Sequence, residues 1–203
     1  MKNNSHFHTA KANKNDEFYT KLEDIENELA HYTDFFKDKV VYCNCDSPDH
    51  SNFWKYFYDN FQPLGLKRLI STYLDNTQSF KTEYDGESMI KTPLIGNGDF
   101  SSDECVEILK ECDVVVTNPP FSLWRQFIHL LILYNKKFLA IGNKTAVIYR
   151  ELFYKVKENK VWFGYTIPKE FITSDGITKK VSGICRWFTT VSYTHLRAHE
   201  TVL

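Results

Sequence analysis

The 203-residue chain reads as an α/β protein with a largely parallel sheet, and three observations predict this class. Apolar runs of strand length alternate with segments whose apolar residues recur at helical spacing over most of the sequence. One run, Asp113-Val114-Val115-Val116-Thr117, sets three valines between polar flanks, the pattern of a short strand buried on both faces. That run meets Asn118-Pro119-Pro120-Phe121, where two residues without a backbone N–H end the strand and send the chain out as a stiff, extended loop. The length suits one full core, and no internal repeat is visible.

Each element follows from local pattern. From Glu23, residues Ile25, Leu29, Tyr32 and Phe36 keep a helical period and predict an amphipathic helix to about Lys37. Lys39 to Asn44 reads as a first strand. Ser51 suits the N-cap of a helix that ends before Pro63, and Leu66 to Leu74 is a second strand. Asp75 to Thr92 is polar, with a hairpin turn expected near Asp85-Gly86. Ser101 or Ser102 caps a helix to about Glu111, with Val106 and Leu109 on its apolar side. The valine strand comes next, then a helix from Ser122 to Tyr134 and a strand from Lys137 to Gly142. Tyr149 to Glu158 reads as a helix, and Val161 to Tyr165 and Ile184 to Thr190 as strands.

Composition narrows the function classes. Lys and Arg number 25 against 26 Asp and Glu, so contact with a polyanion must come from local patches. Five cysteines with no Cys-x-x-Cys pair argue against a disulfide framework and a zinc ribbon, and no metal site is expected. Residues 1–15 are polar, without the apolar core of a signal peptide, and predict a mobile arm. No apolar stretch reaches transmembrane length, so a cytoplasmic location without membrane contact is expected.

The Asn118–Phe121 loop is the strongest candidate for chemistry. It holds an amide, two prolines and an aromatic ring at the carboxyl edge of a strand, where open α/β sheets bind ligands. Such a set suits the amino group and face of a planar base. Asp46 can offer an acceptor to an ammonium or hydroxyl or simply cap a turn, Asp99 suits a charge ahead of a helix, and Asp75 a solvated carboxylate.

Asn118-Pro119-Pro120-Phe121 resembles the catalytic motif of amino-group methyltransferases, usually Asp/Asn/Ser-Pro-Pro-Tyr/Phe/Trp. Asp16-Glu17-Phe18-Tyr19-Thr20 resembles the amino-terminal cofactor motif of adenine-N6 methyltransferases. The segment from Val40 to Phe57 is similar to the first-strand region of EcoRI-type adenine-specific DNA methyltransferases. It lacks the Gly-rich first turn of most methyltransferases, a departure expected within the EcoRI type. The resemblance covers about Lys11 to Thr190 and implies a Rossmann-like class I methyltransferase fold, with residues 16–190 as the catalytic domain.

The activity it implies is methyl transfer from S-adenosylmethionine to adenine N6 in double-stranded DNA, as in a restriction-modification system. Asn118 and the carbonyl of Pro119 would accept the N6–H groups, Pro120 would stiffen the loop, and Phe121 would stack on a flipped adenine. Phe18, Tyr19 and Thr20 would close over the cofactor. Asn44 and Asp46 would hold its methionine part, Asp75 its ribose, and Asp99 with Phe100 its adenine. Lys11, Lys14, Lys136, Lys137, Lys144 and Arg150 are candidate phosphate contacts. Methyl transfer to RNA adenine or a protein amide, and a non-catalytic nucleic-acid-binding fragment, stand as alternatives.

Val191 to Thr201 (VSYTHLRAHET) breaks the pattern and resembles the translation of a sequencing adapter. The expectation is therefore a non-native tail over residues 191–203 and a domain incomplete at its carboxyl end, with its target-recognition region missing. DNA methylation by such a chain would be impaired. His195 and His199, though spaced like a metal pair, would then carry no chemistry.

Overall fold

In the computed structural model, which describes residues 18–75, 78–173 and 176–191, the chain begins with β1 (Phe18–Thr20) and α1 (Leu22–Leu29). There follow β2 (Val40–Asn44), α2 (Asn52–Asp59), α3 (Phe61–Leu64), β3 (Arg68–Asp75), β4 (Gln78–Tyr84) and β5 (Met89–Pro93). The middle of the chain supplies α4 (Asp103–Glu111), β6 (Val114–Thr117), α5 (Trp124–Leu133), β7 (Lys137–Asn143) and α6 (Arg150–Lys157). The last strands are β8 (Trp162–Phe163), β9 (Glu170–Thr173), β10 (Thr178–Lys180) and β11 (Cys185–Thr189). The expected arm (1–15), Asp16, Glu17 and the tail beyond Val191 lie outside the described residues.

Eight strands form one sheet in the order β5-β4-β3-β2-β6-β7-β11-β8. Strand alternation divides their side chains between two apolar clusters. Val41, Cys43, Val114, Val116, Leu139 and Ile141 face α1, α2 and α3. Val40, Tyr42, Val115, Phe138 and Ala140 face α4, α5 and α6. The valine strand is thus covered on both sides, and all four β6 residues are fully buried.

The sheet is mixed rather than largely parallel. β3, β2, β6 and β7 run parallel at its centre. β4 and β5 extend one edge antiparallel, and β11 and β8 the other. The reason at the first edge is connection length. Between Asp75 and Gln78 there is no room for a crossover, so the chain must fold back as a hairpin. The β4–β5 turn falls at Asp85-Gly86 as expected, with Asp85 Oδ1 accepting from the N–H groups of Glu87 and Ser88.

Two helix readings also shift. The Glu23–Lys37 helix changes to 3₁₀ geometry over Ala30–Phe36 while keeping Ile25, Leu29, Tyr32 and Phe36 buried. The segment from His31 to Phe36 is crowded with aromatic and β-branched side chains, which favour an α-helix poorly. In α4 the core positions are Cys105, Ile108 and Leu109, and Val106 is only half-buried. A second, three-stranded antiparallel sheet of order β1-β9-β10 was not foreseen.

Candidate active site

Because β3, β2 and β6 run parallel, Asp75 and the loops after Asn44 and Thr117 share one edge of the sheet. There they border a cavity of about 460 Å³. β1 borders it as well, and so do the loop ahead of α4 and the start of α2.

Ten of the described candidates are Phe18, Tyr19, Thr20, Asp46, Asp75, Asp99, Asn118, Pro119, Pro120 and Phe121, and all but Phe121 line this cavity. The remaining two, Asn44 and Phe100, do not. Asn44 is buried, its amide donating to the Tyr42 hydroxyl at 2.8 Å while its Oδ1 accepts from the Cys45 thiol. Phe100 is a core residue, edge-to-face with Phe127 at 5.4 Å. Phe121 packs against Phe18 (5.7 Å) and Phe171 (6.0 Å), so its ring joins the Asn-Pro-Pro loop to the small sheet.

Asn118 is held from one side only. Its Nδ2 donates to the carbonyl of Phe18 at 3.0 Å and to Thr20 Oγ1 at 3.3 Å. Rotating the amide would set its oxygen against that carbonyl, so the orientation is fixed by its partners. The same constraint turns Oδ1 away from both, and this shielded oxygen accepts no hydrogen bond among the described residues. A buried acceptor without a donor is costly unless a ligand supplies one.

The first loop solves without glycine the problem that most such turns solve with it. Cys45 takes a left-handed backbone (φ 64°) and lets the chain turn back beside the cavity. Asp46 then accepts from Ser51 Oγ at 2.6 Å and lies 2.8 Å from Thr117 Oγ1. Burial pushes the Asp46 carboxyl up to about 7, against the opposing pull of these two hydroxyls. Ser51 also caps α2, accepting from the N–H groups of Phe53 and Trp54. On the far side Gly98 (φ 68°) brings the chain so close to Ser79 that a Cβ there would lie 2.8 Å from that side chain. Only glycine fits this approach, and Asp99 follows it into the cavity wall.

Sequence reasoning missed Asn52 and Thr117. Asn52 lines the cavity and donates to the carbonyl of Thr20 at 2.8 Å, tying β1 to α2. Thr117 ties β6 to the Asp46 loop. Its signal was present but unread: a hydroxyl closing a run of valines. Among the described residues the cavity wall carries Asp46, Asp49, Asp75, Asp99 and His50, and neither lysine nor arginine. Among the described residues no group of three or more His, Cys, Asp or Glu is placed to hold a metal, and no helix is long and apolar enough to cross a membrane.

The family described as adenine-specific methyltransferase EcoRI matches residues 6–90 and 78–202. Among curated proteins, the Type II methyltransferase M.MgeORF184P of Mycoplasma genitalium is 44% identical over 210 residues, covering 94% of this chain and 66% of that protein. M.EcoRI of Escherichia coli is 48% identical over 180 residues (79% and 55%), and M.MpnI of Mycoplasma pneumoniae is 42% identical over 204 residues (91% and 64%). The chain therefore spans 55 to 66% of the length of these relatives. No solved structure matches it significantly. With a family match across both halves of the cavity, from β1 through the Asn-Pro-Pro loop and beyond, the chain belongs to the EcoRI-type adenine-specific methyltransferases.

Proposed function

We propose that this chain carries the catalytic site for methyl transfer from S-adenosylmethionine to N6 of adenine in DNA, on a Rossmann-like class I fold spanning residues 16–190. The observation that carries the proposal is the shielded Oδ1 of Asn118, oriented by Phe18 and Thr20 and lacking a donor. An exocyclic amino group is the donor such an acceptor suits. The relatives' names, Type II methyltransferases, support DNA as the substrate.

The residues present fit the cofactor. A wall that is acidic, with no lysine or arginine among the described residues, favours a ligand carrying a sulfonium and an ammonium. Bound there, S-adenosylmethionine supplies an electrophilic methyl group. Asp46 would face its ammonium, Asp75 its ribose and Asp99 its adenine amino group, with Phe18, Tyr19 and Thr20 closing one side.

For the target, Asn118 Oδ1 and the carbonyl of Pro119 each accept one N6–H. These bonds pull the nitrogen toward pyramidal geometry, free its lone pair and stabilise the positive charge that grows on it. Reaching them requires an adenine flipped out of its duplex. A stacking role for Phe121 requires its ring to leave Phe18 and Phe171. Positioning supplies most of the rate for such a transfer, so no acid–base dyad is needed.

The test is transfer of labelled methyl groups from S-adenosylmethionine to duplex DNA. Label should appear at adenine and be blocked in duplexes already carrying N6-methyladenine. Label in RNA or protein instead of DNA would overturn the reading.

A further inference from the structure

Hydrogen counting around Asp46 points to a property that its place in the cavity wall does not by itself imply. Ser51 Oγ accepts from two backbone N–H groups, at 3.1 and 3.3 Å, so its own proton is directed to Asp46 Oδ1 at 2.6 Å. Thr117 Oγ1 lies 2.7 Å from the carbonyl oxygen of Asn44 and 2.8 Å from Asp46 Oδ2. Thr117 has one proton for these two contacts. Both cannot be met by it, and an oxygen pair at that separation without a proton is repulsive. Three contacts need three protons, and the two hydroxyls supply two. The third belongs on Asp46, which then donates to Thr117 while Thr117 donates to Asn44.

We infer that Asp46 is a neutral carboxylic acid in the ligand-free protein and gives up its proton when a cationic methyl donor fills the cavity, so that donor binding releases a proton. The O–H bond of Asp46 breaks, the proton passes to solvent, and the Thr117 hydroxyl turns from Asn44 to the new carboxylate. The identity of the donor rests on the function proposed above, whereas the protonation state does not.

The surroundings favour this exchange. From β2 the Cys43 thiol lies close to Asp46, and burial, followed by the Asp46 charge, drives it well above its usual range, while the turn places Cys45 on the same cavity wall. The approach to α2 contributes Asp49 and His50, the end of β3 Tyr73 and Asp75, the loop before α4 Asp99, and β1 Tyr19. β6 offers only the Thr117 hydroxyl. Among the described residues no lysine or arginine lines the cavity to compensate an ionised Asp46, and a cationic ligand would bring that charge. The upward displacement of the Asp46 carboxyl to about 7 agrees with the count.

Two measurements on the full chain decide it. Infrared difference spectra of the ligand-free protein at about pH 6 should show a carboxylic-acid carbonyl band that Asp46→Asn removes. Calorimetry of S-adenosylmethionine binding, in buffers of different ionisation enthalpy, should show about one proton released near pH 6 and none near pH 8. Affinity should weaken about tenfold per pH unit below neutrality. Asp46→Asn should bind with no proton release and a flat pH profile. Thr117→Val should move the midpoint upward, since its hydroxyl favours the charged form, and Thr117→Ser should restore it. No acid band in the wild-type protein, or binding without proton release at about pH 6, overturns the inference and leaves the proposed methyl transfer standing. Failure of S-adenosylmethionine to bind at any pH overturns the proposed function and the release step together, and the infrared band still decides the state of Asp46.

Discussion

At the scale of single residues, the site divides into side chains that declare themselves and side chains that act through others. The place of Asn118, Pro119 and Pro120 at the carboxyl edge of the sheet was legible because two prolines must end the valine strand there. The contact that Thr117 makes was not, because its partner Asp46 lies 71 residues away in sequence. Asn118→Ala removes the Oδ1 acceptor that Phe18 and Thr20 orient. It should lower single-turnover methyl transfer by about 10²- to 10³-fold, the loss typical of deleting one charge-stabilising group, with donor affinity changed only a few-fold. Asp46 carries a second expectation. Its folded pKa is raised, so the folded state holds its proton after the unfolded chain has lost it, and stability falls as pH rises from about 4 to about 7. Asp46→Asn should remove up to about 1.4 kcal/mol per pH unit of that slope. Urea denaturation of both proteins across this range measures the difference.

At the scale of elements, α1 was read correctly as amphipathic, yet its apolar face hides two acids that hold a distant segment. Asp24 and Glu28, one turn apart, are both buried. Glu28 accepts from the Tyr32 hydroxyl, the N–H groups of Tyr165 and Thr166, and the Thr166 hydroxyl. Asp24 accepts from the N–H groups of Lys169 and Glu170. The stretch leading into β9 is therefore anchored on α1, and β9 in turn pairs with β1 over the Asn-Pro-Pro loop. Sequence pattern could not show this, since α1 and its partners lie about 140 residues apart and strands as short as β1 and β10 leave no periodicity to read. Glu28→Gln keeps the shape but turns an NH₂ group toward backbone donors. The expected cost is about 2–3 kcal/mol by chemical denaturation, the penalty of leaving one or two buried donors unpaired. Loss of stability below about 0.5 kcal/mol would mean the anchor is dispensable.

At the scale of the whole molecule, the direction of the parallel strands sorts the candidate DNA contacts, which composition could not do for a chain of net charge −1. β6 pairs with β7 so that Val114 stands beside Lys137 and Thr117 beside Ala140. Lys136 and Lys137 therefore sit at the amino end of β7, roughly 13 to 17 Å along the strand from the edge that carries Asn118. Both have structural work there: Lys136 donates to the carbonyls of Lys110 and Cys112, and Lys137 to that of Thr190. Lys144 and Arg150 follow the carboxyl end of β7, on the edge where the cavity opens. Under the proposed function, DNA delivering an adenine to Asn118 would meet the second pair and not the first. Replacing Lys144 and Arg150 together by alanine should weaken DNA binding and reduce the slope of log affinity against log salt by about 1 per lost phosphate contact. Replacing Lys136 and Lys137 should leave that slope unchanged and lower thermal stability instead. Equal salt slopes for the two double variants would mean that DNA approaches some other face, and the Asn118 cavity would then lose its claim to be the place where the base is received.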